Sequence, residues 1–128
     1  MIKEAYCSFE VAKLLKEKGF DGECETSYYI SNKGCENAVS VGDFTKVSPW
    51  REALIAAPTH QMAMKWLREE YNIFIQISAV LQDQPFGLHY RPSIQDYHAY
   101  ARHDNFSEYV TYEEAVEVVL KYCLKNLI

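Results

Sequence analysis

The residues of this chain best equipped for chemistry are its four histidines and four cysteines. His98 and His103, with Asp96 and Asp104 beside them, carry the donor types that zinc or manganese takes. Their separation of five is not the i,i+4 spacing by which one helix face offers two ligands, and no third ligand is fixed. On a strand, even and odd offsets point to opposite faces, so the two rings diverge unless a turn begins between them. Cys24 and Cys35 have ten residues between them, and no C-x-x-C pair occurs, whereas zinc ribbons and knuckles close their tetrahedron with close pairs. Cys7 stands just before a helix start, where the helix dipole lowers a thiol pKa. Nucleophilic catalysis there needs a partner histidine that spacing does not supply. Cys123 falls on an apolar helical stripe and reads as a small core residue.

Aromatic content is the other feature with functional colour. Of ten tyrosines, Tyr90, Tyr97, Tyr100, Tyr109 and Tyr112 crowd one segment, together with Phe86 and Phe106. Tyrosine joins a large contact area to a polar tip, which suits interfaces and ligand grooves, and it also suits plain strands. Tyr90, Tyr97, His98, Tyr100 and His103 are therefore the candidate binding-surface residues. No G-x-S-x-G elbow, P-loop, dinucleotide-binding glycine pattern or H-E-x-x-H is present, and glutamate pairs such as Glu69–Glu70 sit in helix turns as solvated charge. The sequence thus assigns no catalytic residue, no metal ligand and no cofactor.

The chain's 128 residues fit one domain with a single buried core. Its net charge of −5 is spread along the chain, and Lys13, Lys16 and Lys18 are interleaved with Glu10 and Glu17. Nucleic acid is excluded as the main partner, because phosphate binding needs clustered basic side chains, and Arg91 and Arg102 are too few to accompany stacking tyrosines. No run of about 18 apolar residues exists, so no membrane span is expected. The first residues lack the apolar core and cleavage site of a signal peptide, so a cytoplasmic location with free thiols is expected.

These side chains must be held by the elements around them. Ser8 caps a first helix whose face carries Val11, Ala12, Leu14 and Leu15; Gly19 ends it in the left-handed position, and Phe20 packs back. Thr26 to Ser31 and Asn37 to Phe44 suggest a hairpin about the turn Asn32-Lys33-Gly34. From Thr45 to Ala57 only loop signals and one irregular turn around Trp50 to Ile55 are expected. Pro58 and Thr59 open a second helix that Asn72 closes. Its apolar residues, Met62, Ala63, Met64, Trp66, Leu67 and Tyr71, span roughly 200°, against the somewhat over 100° that a surface helix needs. That helix is expected to lie between sheet and helix, or to meet a second subunit. Ile73 to Val80 alternates as a strand with one apolar face, which marks an antiparallel sheet covered on one side. Leu88 to Ile94 returns, with Pro92 placing it at an edge or breaking it, and Tyr97 to Arg102 adds one more strand. Thr111 and Glu114 form a capping box for the last helix, with Ala115, Val116, Val119, Leu120, Cys123 and Leu127 inward and Glu117, Lys121 and Lys125 in water. The expected fold is α+β: an antiparallel sheet of about three to five strands, with three helices mainly on one face.

Three segments, AKLLKEKGFD, APTHQMAMKWLREEYNIFIQI and TYEEAVEVVLKYCLKNLI, in that order, resemble a group of small uncharacterised proteins of gut bacteria and their phages and mobile elements. The resemblance implies an accessory gene product and brings no site residue, since its motifs are caps, an apolar helix face and a strand. The wide apolar arc of the second helix and the tyrosine-rich segment favour a non-enzymatic interaction protein whose partner is a protein, either another chain or a second copy in a homodimer. The alternative is a small enzyme or ligand-binding domain using a His/Tyr-lined cleft around residues 89–104.

Overall fold

The computed structural model describes residues 2–24, 26–30, 36–41, 53–83 and 86–128. The elements follow as α1 (Phe9–Glu17), β1 (Thr26–Ile30), β2 (Glu36–Val41), β3 (Ala53–Ala56), α2 (His60–Tyr71), β4 (Ile73–Asp83), β5 (Phe86–Asp96), β6 (Ala101–His103) and α3 (Tyr112–Asn126). The class is α+β, as expected. Its strands form two antiparallel sheets, ordered β2-β1-β3 and β4-β5-β6, where a single sheet was anticipated. Helix α1 meets β3 of the first sheet, while α2 and α3 lie on the second. One core joins Val11 and Leu15 of α1, Ala63 and Leu67 of α2, Ile73 and Ile94 of the second sheet, and Val116, Val119, Leu120 and Leu124 of α3.

The helix ends follow local chemistry. The Ser8 hydroxyl accepts from the Val11 amide at 3.2 Å and that of Thr59 from the Met62 amide at 3.2 Å. The Thr111 hydroxyl accepts from the Glu114 amide at 3.1 Å, which is half of the anticipated capping box. At the end of α1 the Phe20 amide reaches the Leu15 carbonyl (3.0 Å) and the Gly19 amide reaches that of Lys16 (3.1 Å), the paired bonds of a Schellman turn. Gly19 has φ +94° with open space where a Cβ would stand. Gly19→Ala therefore meets no clash, and its cost is conformational alone. Chemical denaturation should show a loss of about 1 kcal/mol, and an unchanged midpoint would mean that this turn relaxes freely.

Phe20 also resolves the wide apolar arc of α2. Its ring meets Trp66 edge-on at 5.6 Å, and Trp66 meets Tyr71 at 5.2 Å, while the helix packs on β4 and α3. The second flank is thus covered from within the chain, and α2 gives no argument for a second subunit. Asn72 closes the helix in the left-handed conformation (φ 55°), as expected.

Three strand expectations need correction. Residues 53–56, expected as loop, form β3 against β1; four residues ending beside Pro58 are too short for alternation to register. Residues 97–100, expected to be strand, form a turn in which Tyr100 has φ 53°, and only Ala101–His103 pair with β5. The buried Asp96 carboxylate holds this turn by accepting from the amides of His98 and Ala99, both at 3.1 Å. Strand β5 runs unbroken through Pro92, which stands opposite Ile77. The Tyr90 amide points away from β4, to the Tyr109 carbonyl at 2.8 Å. Pro92, two residues on, faces the same way, so its missing N–H falls on the outer side and the β4 ladder loses nothing. The expected turn at Asn32-Lys33-Gly34 and the end of the predicted strand at Gly42 to Phe44 lie outside the described residues.

Candidate functional site

Register decides what the β4–β5 hairpin offers. Residues directly opposite share a face, so Ile73, Ile75, Ile77, Ala79, Leu81 and Asp83 lie with Asp96, Ile94, Pro92, Tyr90, Leu88 and Phe86. The helices cover the first half of this face and leave the second half bare. Ile73, Pro92 and Ile94 are buried, whereas Leu81, Leu88 and Phe86 are 62, 53 and 81% exposed. The core's own apolar face therefore runs out from under the helices onto an open hairpin end. Tyr90, edge-on to Tyr112 at 6.0 Å, marks the transition.

The other face carries Phe74, Gln76, Ser93 and Gln95. It forms a groove of about 630 Å³, with Phe74 and Tyr97 as aromatic walls and Arg102 at its side. The two rings meet edge-on at 5.3 Å, and Arg102 pairs with Asp104 at 3.5 Å. The predicted surface residues are thus divided. Tyr97 lines this groove, and Tyr90 belongs to the opposite face. His98 and Tyr100 project from the exposed turn, while His103 turns toward α3, where its Nδ1 lies 3.4 Å from the Tyr122 hydroxyl. No common cleft gathers the five.

The cluster that the fold does assemble involves Cys7, His60 and Glu117, whose sulfur, ring nitrogen and carboxylate oxygen all lie within 4.8 Å of one another. A short antiparallel ladder places the first two. Tyr6 stands opposite Thr59, the Cys7 amide donates to the Pro58 carbonyl and the His60 amide to that of Ala5, both at 2.9 Å. Cys7 and His60 are then diagonal neighbours on one face of this ladder, with Tyr6 and Thr59 on the other. Helix α3 closes over the pair with Glu117. Its Oε1 accepts from His60 Nε2 at 2.7 Å and from the Ser8 amide at 2.8 Å. A carboxylate only accepts, so His60 carries its proton on Nε2.

Glu117 was expected in water, paired with Lys121. Instead its side chain is 24% exposed and that of His60 only 5%, while Lys121 reaches Glu10 of α1 at 2.9 Å. Burial alone would push the Glu117 carboxyl up; the hydrogen bonds from His60 and Ser8 outweigh it and hold the group below its ordinary range. Burial, and then the Glu117 charge, push the Cys7 thiol well above its ordinary value. The expected activation of Cys7 by a helix start is therefore overridden, and with no exposed surface the sulfur is no nucleophile for an outside substrate. Burial likewise pushes the Cys123 thiol up to about 12, in keeping with its place in the core.

No family model matches the chain, nor does any curated protein or solved structure. The site rests on its own geometry. The histidine that Cys7 lacked in the sequence is His60, 53 positions on, brought in by a ladder too short to leave a pattern. One signal was present for Glu117: at 100° per residue it lies only about 20° around α3 from Leu124, at the rim of the apolar arc.

Proposed function

We propose that the protein is a non-enzymatic interaction module that docks through the open end of the β4–β5 hairpin onto a second copy of itself. The observation that carries this reading is the exposure of Leu81, Leu88 and Phe86 on the very face that forms the core. Large apolar side chains grouped on a regular strand pair favour a partner of the same character. A twofold contact sets this patch against its own copy, so leucine meets leucine, with Asp83 as its rim charge. The division of the five tyrosine and histidine candidates among separate places further favours binding over catalysis. An origin as an accessory product of a phage or mobile element fits such a role.

Sedimentation or light scattering at tens of micromolar should show a dimer. In the double variant Leu81→Lys, Leu88→Lys dissociation should be at least tenfold easier, since burying two leucines is worth about 3 kcal/mol or more. Both side chains are exposed in the single chain, so its fold should survive. A strict monomer, or a dimer indifferent to both lysines, would refute this docking mode.

A second reading is supported by the groove on the opposite face. Its two aromatic walls, the amides of Gln76 and Gln95, and Arg102 suit a small planar ligand with an acidic group.

A further inference from the structure

We propose that Cys7, His60 and Glu117 form a binding site for one zinc ion. Thiolate, imidazole and carboxylate are the three donor types that zinc takes from proteins, and here each comes from a different part of the chain. Two donors are buried, which distinguishes the trio from a surface cluster of solvated charges. The third, Glu117, reaches solvent on one side and gives the ion its way in, and water on that side completes a tetrahedron.

The charge balance suits a dication. A thiolate and a carboxylate neutralise it, and the imidazole binds as the neutral base. Both anionic donors also lie at the start of α1: Cys7 immediately precedes its cap, and Glu117 accepts the Ser8 amide. That amide would steady the ligating carboxylate from outside the coordination shell.

The distances need only side-chain adjustment. Bond lengths of about 2.0–2.3 Å at a tetrahedral centre put neighbouring donors roughly 3.3–3.7 Å apart. The His60–Glu117 pair at 2.7 Å opens to admit the ion, and the sulfur closes in from within 4.8 Å. The chemistry is ligand exchange without redox change. The Cys7 S–H bond breaks and its proton leaves to solvent, the His60 proton moves from Nε2 to Nδ1 so that neutral Nε2 coordinates, and zinc–donor bonds form. Uptake therefore releases protons and strengthens as pH rises.

The test uses the whole chain stripped with a chelator, titrated with Co²⁺ as a spectroscopic stand-in and then with Zn²⁺. The expected result is one equivalent of Co²⁺ with a thiolate-to-metal charge-transfer band and strong tetrahedral visible bands, both bleached by Zn²⁺. Cys7→Ser should abolish the charge-transfer band, and Glu117→Gln should weaken binding at least tenfold while far-ultraviolet circular dichroism shows the fold retained. A wild-type chain without the band overturns the proposal. So does a band that persists in Cys7→Ser, which would assign it to Cys24, Cys35 or Cys123. Should Cys7→Ser fail to fold, His60→Gln and Glu117→Gln decide, and unchanged affinity in both refutes the site.

Discussion

Leu120→Ala is expected to lower the unfolding free energy by about 3 kcal/mol, within the 2–5 kcal/mol range for truncating a buried leucine. Leu120 is fully buried in the cluster that joins α1, α2, β4, β5 and α3, so collapse on one side of the gap would disturb packing on another. Part of the loss is the transfer energy of the removed carbons, and the rest is the void that rigid neighbours cannot fill. Urea denaturation should show a lower midpoint with an unchanged slope. Leu81→Ala provides the control. On the exposed hairpin end the same truncation should cost under about 0.5 kcal/mol in the single chain. A loss below about 1 kcal/mol for Leu120 would mean that the helices do not share one packed core.

Glu117→Ala is expected to cost about 2–3 kcal/mol, because it leaves the buried His60 N–H and the Ser8 amide without their shared acceptor. The figure sits below that for a wholly buried pair because the carboxylate keeps a solvent-facing side. Glu117→Gln retains an oxygen acceptor and should lose about half as much. The two variants also differ from wild type in acid. Glu117 has its folded pKa below the unfolded value, so its contribution is present above the ordinary carboxylate range and disappears as pH falls through the folded pKa. The gap between wild type and Glu117→Gln should therefore be full at neutral pH and should shrink below about pH 4.5. A gap constant from pH 7 to pH 3, measured by denaturant midpoints, would show that the ionised carboxylate is not what His60 and Ser8 recognise.

Legibility in the sequence followed the range of the interaction. The ends of α1 and α2, with Ser8, Gly19, Thr59 and Asn72, are set by atoms a few residues apart, and their patterns were readable. The alternation of β4 likewise revealed the covered face. Long-range pairings were another matter. The extent of β5 through Pro92 depends on which side of the strand lacks a donor, and that follows from where Tyr109 returns. The separation into two sheets depends on β3 pairing with β1 rather than with β4. In the site, Glu117 is by type a surface residue, and its inward turn depends on the Ser8 amide and the His60 ring, brought from far along the chain. Tyr90 lies on the helix-side face of β5, whereas Tyr97 stands in the turn that follows the strand and lines the groove on the other face.

The outer side of β5 has a consequence for how this molecule can propagate. It is taken at Tyr90 by Tyr109 and at Ile94–Asp96 by the three residues of β6, and between them Pro92 offers no donor. A foreign strand finds no continuous template there. Among the described residues β4 has a strand on one side only. A sheet able to accept a neighbour along just one border is satisfied by a single newcomer and cannot hand the pairing on. In the dimer proposed above, pairing along β4 would use up that border in both copies, so growth through this sheet would stop at two.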